Sequence, residues 1–196
     1  ESFYSMLAHI PGLKVVVPSD PYSVKGLLAA AIRDDDPVFL VNDKKLINLT
    51  GFVPDEDYVI ELGKGRYMQR GDDVTLVGMS YTSIVCEQAA GQLAEAGINA
   101  EVIDMMSLSP FDEDILLESV QKTNNVVIVD EDTPRASMAS EFAAVIADKA
   151  FDHLDAPVKR VTAPHSPVPY NKGLENAFMP QPEDVVGTVR HMLGRD

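Results

Sequence analysis

Residues 73–131 read DVTLVGMSYTSIVCEQAAGQLAEAGINAEVIDMMSLSPFDEDILLESVQKTNNVVIVDE and alternate between two hydrophobic patterns. Short apolar runs at Val74–Met79, Ala100–Ile103 and Asn125–Val129 predict three strands. Ile84–Ala96 carries apolar residues at helical spacing, and Ser109 with the proline after it predicts the start of a second helix. Strands joined by helices of this length are parallel and buried on both faces. The stretch therefore predicts an α/β fold with a parallel sheet at its centre.

The residues that follow continue the alternation. Their apolar spacing predicts helices over Ser137–Ala150 and Glu183–Leu193 and a strand over Val158–Thr162. Between this strand and the last helix, the prolines of Pro164–Tyr170 predict an extended loop. Four strands and four helices between residues 74 and 193 are enough to close a core.

The first 41 residues form a smaller strand, helix, strand pattern. A short helix over Ser2–Ile10 precedes a strand over Leu13–Val17, a capped helix over Ser19–Ile32 and a strand over Val38–Val41. Because two strands cannot bury both faces of a sheet, we expect sequence upstream of residue 1 to complete it. The chain begins without a methionine, and its true N-terminus is expected to lie further upstream.

The periodic pattern is lost between Asn42 and Arg70. Glycine, proline and charged residues break it up and leave one short predicted strand at Tyr58–Leu62. We interpret this region as an extended linker between two α/β units.

Composition limits the classes of partner. The chain has 31 acidic and 16 basic residues and a formal net charge of -15, which opposes binding to nucleic acid or to an anionic membrane. This charge suits either a basic partner or a strongly solvated surface. No apolar run approaches the ~20 residues of a membrane span. The single cysteine, Cys86, falls on the first predicted helix of the central stretch, where a small buried residue is favoured over a nucleophile.

Two acidic runs are candidate cation sites. Asp34-Asp35-Asp36 follows the C-terminal end of a predicted helix, where carboxylates oppose the helix dipole, so either a bound cation or a solvated turn accounts for the run. Asp130-Glu131-Asp132 stands at the carboxyl edge of a predicted strand, where open α/β sheets often bind ligands. A magnesium-dependent or phosphotransfer site and a capping or surface role are both open for this second run.

No motif defines a reaction by itself. The turn after the first central strand, Gly78–Ser83, has neither the G-x-G-x-x-G dinucleotide pattern nor a phosphate-loop lysine. The chain has no H-E-x-x-H, no paired cysteines and no serine in an elbow motif. Spacing alone therefore predicts an architecture and leaves the activity open.

Several long stretches closely resemble the beta chain of the thiamine-diphosphate-dependent 2-oxo acid dehydrogenases. The stretches that carry this resemblance are His9–Leu40, Gly71–Ser80, Ile98–Thr123 and Leu154–Tyr170. The details of TGFVPDEDY (50–58), DEDTPRASMASEF (130–142) and APHSPVPY (163–170) look most like the acetoin dehydrogenase branch, although the pyruvate and branched-chain enzymes share the framework.

The resemblance implies a two-domain organisation. It makes residues 1–62 the second half of a pyrimidine-binding α/β domain, residues 63–70 a linker, and residues 71–196 a three-layer α/β/α transketolase C-terminal-like domain with a mainly parallel sheet. In the family, the beta-chain glutamate and histidine of the active site come from sequence that would precede residue 1, and the alpha chain holds magnesium and the diphosphate. The resemblance therefore implies that this chain alone contains no catalytic or cofactor-binding residue and is inactive.

Two sites carry over from the family by position. A monovalent cation, typically potassium, is held in beta chains at the end of the helix before the second strand, and the matching positions here are Ala31, Ile32, Asp34 and Asp36. The second site is the surface that docks the small, basic subunit-binding domain of the acyltransferase, where Asp155 matches. The resemblance also implies an alpha-chain partner, a beta-beta dimer within a heterotetramer of two alpha and two beta chains, and a cytoplasmic location, or the mitochondrial matrix in a eukaryote.

The sequence thus predicts the C-terminal part of a beta subunit of a 2-oxo acid or acetoin dehydrogenase complex. Such a component passes an acyl group to the lipoyl acyltransferase. The alternative from a different class is a stand-alone acidic α/β module of receiver or protein-binding type.

Overall fold

The computed structural model describes residues 2–195 and places their strands in two sheets. The strands are β1 Lys14–Val16, β2 Val38–Leu40, β3 Arg66–Gln69, β4 Val74–Gly78, β5 Ala100–Asp104, β6 Ser107–Ser109, β7 Val126–Asp130 and β8 Lys159–Thr162. The helices are α1 Tyr4–Ala8, α2 Pro21–Arg33, α3 Tyr81–Glu95, α4 Glu113–Thr123, α5 Met138–Lys149, α6 Lys172–Phe178 and α7 Pro182–Met192. One sheet has the order β3-β5-β4-β7-β8 and the other the order β2-β1-β6.

The larger sheet is the predicted parallel sheet. Strands β5, β4, β7 and β8 run parallel, and β3 is an antiparallel edge strand. Its strands alternate side chains between two apolar layers. Val77, Ile103 and Ile128 face α4 and α5, whereas Leu76 and Val102 face α3 and α7. The predicted three-layer α/β/α arrangement is confirmed.

One local prediction in this region was wrong. Ser109, expected to cap a helix, ends strand β6, which pairs antiparallel with β1 and buries Leu108. The helix begins later, with Asp112 as its N-cap. Pairing with β1 outweighed the local serine-proline signal, because tertiary contacts override weak local preferences. Helix α6 was not predicted.

The predicted strand at Tyr58–Leu62 is also absent from the described residues. Tyr58 stacks on Tyr22 of α2 with ring centroids 4.6 Å apart, and the Ile60 amide donates to the Gly26 carbonyl oxygen at 3.1 Å. The segment therefore packs along a helix instead of beside a strand. The strand of this region lies downstream, at β3, inside the residues that the sequence assigned to a linker.

The smaller sheet gains its third strand from downstream sequence. β1 lies between β2, which is parallel, and β6, which is antiparallel and comes from the C-terminal half of the chain. The sequence did not predict this third strand, and the expectation that sequence upstream of residue 1 adds to the sheet stays a prediction. Val15 and Val17 share an apolar cluster with Ile103 and Leu116, so the N-terminal segment packs onto the larger domain.

Candidate functional site

The N-terminal segment covers the carboxyl edge of the larger sheet. We call the contact between residues 4–43 and the ends of β4, β5 and β7 the junction. Tyr4 and Ser19 donate side-chain hydrogen bonds to Asp130 and Asp104, which end β7 and β5. Ser80, two residues after the end of β4, donates to the Pro18 carbonyl oxygen at 3.1 Å. The chain thus fills with its own residues the edge at which open α/β sheets usually bind ligands.

Asp104 is the centre of a buried polar network in the junction. Its carboxylate is fully buried and accepts hydrogen bonds from the Ser83 hydroxyl at 2.7 Å and from Arg66 Nε at 3.0 Å. Arg66 Nη2 donates in addition to Ser19 Oγ at 2.9 Å and to Asp20 Oδ2 at 2.7 Å. One guanidinium therefore joins strand β3, the end of β5 and the start of α2.

Burial and charge act against each other in this network. Burial raises the pKa of the Asp104 carboxyl, and the Arg66 guanidinium opposes that rise. Burial lowers the pKa of Arg66, but the nearby charges of Asp104 and Asp20 outweigh it and raise the pKa overall. A buried ion pair with satisfied hydrogen bonds is costly to break, because removing one partner leaves an uncompensated charge. The network therefore holds strand β3, the end of β5 and the start of α2 together.

The second acidic run has a capping role. Asp130 accepts hydrogen bonds from the buried Tyr4 hydroxyl and from the amide of Asp132 at 2.9 Å. It also accepts from the amide of Ala139, in the first turn of α5, at 3.0 Å. Asp132 accepts from the Ser5 hydroxyl at 2.9 Å. Within residues 2–195 no three acidic, histidine or cysteine side chains are grouped to hold a metal ion. The capping alternative for this run is the one that the geometry supports.

At the predicted cation positions, the structure brings in a lysine. Helix α2 ends at Arg33, and Asp34 forms its C-cap. Lys14 Nζ lies 2.8 Å from both side-chain oxygens of Asp34 and 3.0 Å from Asp36 Oδ2. The hydrogen bond from Lys14 lowers the pKa of Asp34. The ammonium thus relieves the like-charge repulsion that made this run unfavourable in the sequence.

Asp155 lies far along the chain from this acidic run, shortly before strand β8 of the larger sheet. It is exposed in the segment between a short 3-10 turn, Phe151–His153, and strand β8. Its amide donates to the Asn124 carbonyl oxygen at 2.9 Å, which holds the turn in place. Across residues 2–195, no hydrogen bond or ion pair engages its carboxylate. The side chain is therefore available to a partner.

Sequence reasoning missed the two cations that organise these sites. Arg66 lies in a region without periodicity, so nothing local pointed to it. Lys14 is the one charged residue in LKVVV, and a charge at the start of an apolar strand could have indicated a buried partner. Cys86 is fully buried, as predicted, and burial raises its thiol pKa, which disfavours the nucleophilic thiolate.

Comparison with known sequence families identifies both parts of the chain. Residues 63–185 match the family described as "Transketolase, C-terminal domain", and residues 1–50 match "Transketolase, pyrimidine binding domain". The chain belongs to the transketolase C-terminal domain family. This result decides against the alternative of a receiver-type module. The predicted boundaries at residues 62 and 71 stay predictions.

The resemblance to dehydrogenase beta chains is confirmed by individual relatives. The chain is 50% identical to "Acetoin:2,6-dichlorophenolindophenol oxidoreductase subunit beta" of Bacillus subtilis, over 99% of this chain and 57% of the relative. It is 40% identical to the Bacillus subtilis "2-oxoisovalerate dehydrogenase subunit beta" and to "Pyruvate dehydrogenase E1 component subunit beta", over 98% of this chain and 59% of each relative. The chain thus spans a little over half the length of these relatives.

Solved structures show the same arrangement. "Split gene transketolase, inactive beta4 tetramer" superposes with a TM-score of 0.83 at 26% identity and covers 97% of this chain and 61% of that chain. A transketolase from Pichia stipitis superposes with a TM-score of 0.67 at 12% identity, over 97% of this chain and 26% of that chain, and shows the fold alone.

The hydroxyl of Tyr4 provides a test of the junction. Tyr4→Phe removes the donor to buried Asp130 while keeping the ring, so we expect the free energy of unfolding to fall by about 1–3 kcal/mol. Tyr170→Phe is the matched control, because that side chain is fully exposed, and should change stability by less than about 0.5 kcal/mol. Urea unfolding of the intact chain measures both. Equal effects of the two variants would contradict the role given to Tyr4.

Proposed function

We propose that this chain is the C-terminal part of the beta subunit of a thiamine-diphosphate-dependent dehydrogenase that acts on acetoin, with 2-oxo acids as the second candidate substrates. The observation that carries the choice of acetoin is the difference in identity: 50% to the acetoin oxidoreductase subunit against 40% to the two 2-oxo acid dehydrogenase subunits of the same organism. The alpha chain is the partner that completes the enzyme.

The residues of this chain have a supporting role in that reaction. Thiamine diphosphate supplies carbanion stabilisation next to a carbonyl group when it is bound. We assign its magnesium and diphosphate to the alpha chain and its pyrimidine ring to beta-chain sequence upstream of residue 1. The network of Arg66 and Asp104 fixes the N-terminal segment on the larger domain. That rigidity positions the pyrimidine-binding half, because small misplacements of reacting groups reduce rates strongly.

The substrate prediction requires the assembled enzyme. The intact beta chain, co-purified with its alpha chain, should reduce 2,6-dichlorophenolindophenol with acetoin at a kcat/KM at least about tenfold above that for pyruvate or 2-oxoisovalerate, a difference of about 1.4 kcal/mol. The beta chain without its partner should give no reduction. A preference for pyruvate or 2-oxoisovalerate would assign the chain to the corresponding dehydrogenase instead. Absence of activity with all three substrates would contradict the proposed function.

We also propose a monovalent cation, potassium, at the end of helix α2. The backbone carbonyls of Ala31 and Ile32 belong to the last turn of the helix, where carbonyl oxygens lack helical partners and suit a hard cation. Asp34 and Asp36 would add negative charge. Because Lys14 already bonds their side-chain oxygens, the carbonyl groups are the more important ligands in this proposal.

Exchange of the cation tests this site. In the intact protein, replacement of potassium by tetramethylammonium should lower the melting temperature, because an ion that binds only the folded state stabilises it by about 2.7 kcal/mol at a hundred times its Kd. Asp34→Asn should reduce the potassium effect. Asp35→Asn is the control, because it removes the same charge from the same run at a position without an assigned role. A melting temperature independent of the cation would exclude the site.

Asp155 is proposed to contact the basic subunit-binding domain of the lipoyl acyltransferase. The support is its exposed, unpaired carboxylate on a turn fixed by Asn124, together with the net charge of -15. A negative surface steers a basic partner, and a carboxylate accepts paired hydrogen bonds from arginine. The complete assembly in this proposal has two alpha and two beta chains joined through a beta-beta dimer. It is cytoplasmic in a bacterium or archaeon and lies in the mitochondrial matrix in a eukaryote.

Binding of the isolated acyltransferase domain tests Asp155. In the assembled alpha-beta enzyme, Asp155→Asn should weaken this binding at least about tenfold while leaving the oxidation of free substrate unchanged. Asp152→Asn, in the same exposed turn, removes an equal charge and should alter mainly the association rate. Equal loss of affinity in the two variants would show a general charge effect instead of a contact at Asp155.

A further inference from the structure

A pair of carboxyl groups in the junction takes no part in the proposed function. Asp43 follows strand β2, and Glu131 follows strand β7. The two side chains lie within hydrogen-bonding reach of each other and join the two halves of the chain. Both are only partly exposed.

Asp43 has one oxygen that lacks a donor. Its Oδ1 accepts the Lys45 amide at 2.7 Å, whereas its Oδ2 is buried without a hydrogen-bond partner. Among the side-chain nitrogen and oxygen atoms of residues 2–195, this atom alone is both buried and unpartnered. A buried acceptor without a donor costs about 1–3 kcal/mol. Two ionised carboxylates cannot supply that donor, because both groups accept only.

The surroundings of Glu131 favour its neutral form. The titratable side chains that face it are Asp43, Asp130, Tyr4 and Tyr81. Lys45, two residues after Asp43, also faces this group of side chains: its ammonium lies 4.8 Å from the centre of the Tyr81 ring. Burial, then the contact with Asp43, raises the pKa of Glu131 from its ordinary 4.5 to about 9.

We propose that Glu131 is protonated in the folded chain and donates a hydrogen bond to Asp43 Oδ2, and that this bond fastens residues 42–46 to the end of strand β7. The Glu131 proton gives the buried oxygen of Asp43 its donor and removes the repulsion between the two groups. When the proton is lost, two adjacent charges push the segment away from β7. This segment forms one wall of a groove of about 340 Å³ beside α2, so the groove opens as the proton leaves.

The sign of the pH dependence follows from the two states. The unfolded chain releases the Glu131 proton near its ordinary pKa, whereas the folded chain keeps it to about pH 9. Between these values the folded state binds more protons, so stability falls as the pH rises. The stabilisation from this pair is complete below about pH 4.5 and is lost by about pH 9. Ordinary acidic ion pairs behave in the opposite way.

Melting curves of the intact protein from pH 5 to pH 9 test the hydrogen bond from protonated Glu131 to Asp43. Glu131→Gln is neutral at every pH, so its melting temperature relative to the unmodified protein should rise with pH and exceed it by at least about 2 °C at pH 9. Asp43→Asn offers an amide donor to ionised Glu131, so the melting temperature of this variant should fall less steeply with rising pH. Glu95→Gln makes the same change of charge at an exposed acid, so its melting temperature should change with pH in parallel with that of the unmodified protein.

Three results would overturn the proposal. One is a Glu131→Gln curve parallel to that of the unmodified protein. Another is an unchanged pH profile in Asp43→Asn, which would mean that burial alone accounts for the effect. The third is recovery of full stability at pH 8 on addition of magnesium at constant potassium, which would place a metal ion between the carboxylates instead of a proton.

Infrared difference spectroscopy gives a second measurement that does not depend on stability. A protonated carboxyl band that is missing from Glu131→Gln should be present in the unmodified protein at pH 7 and disappear as the pH is raised past about 9. Its absence at pH 7 would also overturn the proposal. Neither measurement uses activity, so the outcome does not depend on the substrate or on the alpha chain.

Discussion

The burial of one carboxylate, Asp104, is the constraint on which the rest of the structure depends. A charge at the fully buried end of β5 is tolerated only when it is paired and its oxygens are bonded. Arg66 supplies the pairing, and this requirement places β3 as an antiparallel edge strand beside β5. The same guanidinium binds Asp20, the N-cap of α2, so the start of that helix is held against the larger sheet.

The carboxyl edge of the sheet is used for assembly of the chain. In open α/β sheets this edge normally forms the ligand crevice. Here the ends of β5 and β7 bind Ser19 and Tyr4, and Ser80, two residues after β4, binds the backbone at Pro18. The N-terminal segment therefore occupies the place of a ligand.

The acidic residues of the chain serve several different purposes. Asp34 and Asp36 are compensated by the ammonium of Lys14, so this run, which is unfavourable in isolation, is locally balanced. Asp130 caps a helix, and Asp155 is exposed without a partner among residues 2–195. Equal charges in similar sequence surroundings thus have unequal roles, because burial and the nearest cation decide what each carboxylate does.

The sequence by itself determined the four parallel strands of the larger sheet, the helices α3, α4, α5 and α7 that pack on them, and the family. The period of apolar residues is a local feature, so it can be read from the sequence without knowing the tertiary neighbours. Only the tertiary structure revealed that β6 joins the N-terminal sheet, that residues 58–62 pack on α2 and that β3 lies further downstream. It also revealed the partners of the acids, since Arg66 is 38 residues from Asp104 along the chain and Lys14 is 20 from Asp34. Such contacts depend on which residues the fold brings together, and no local pattern records that.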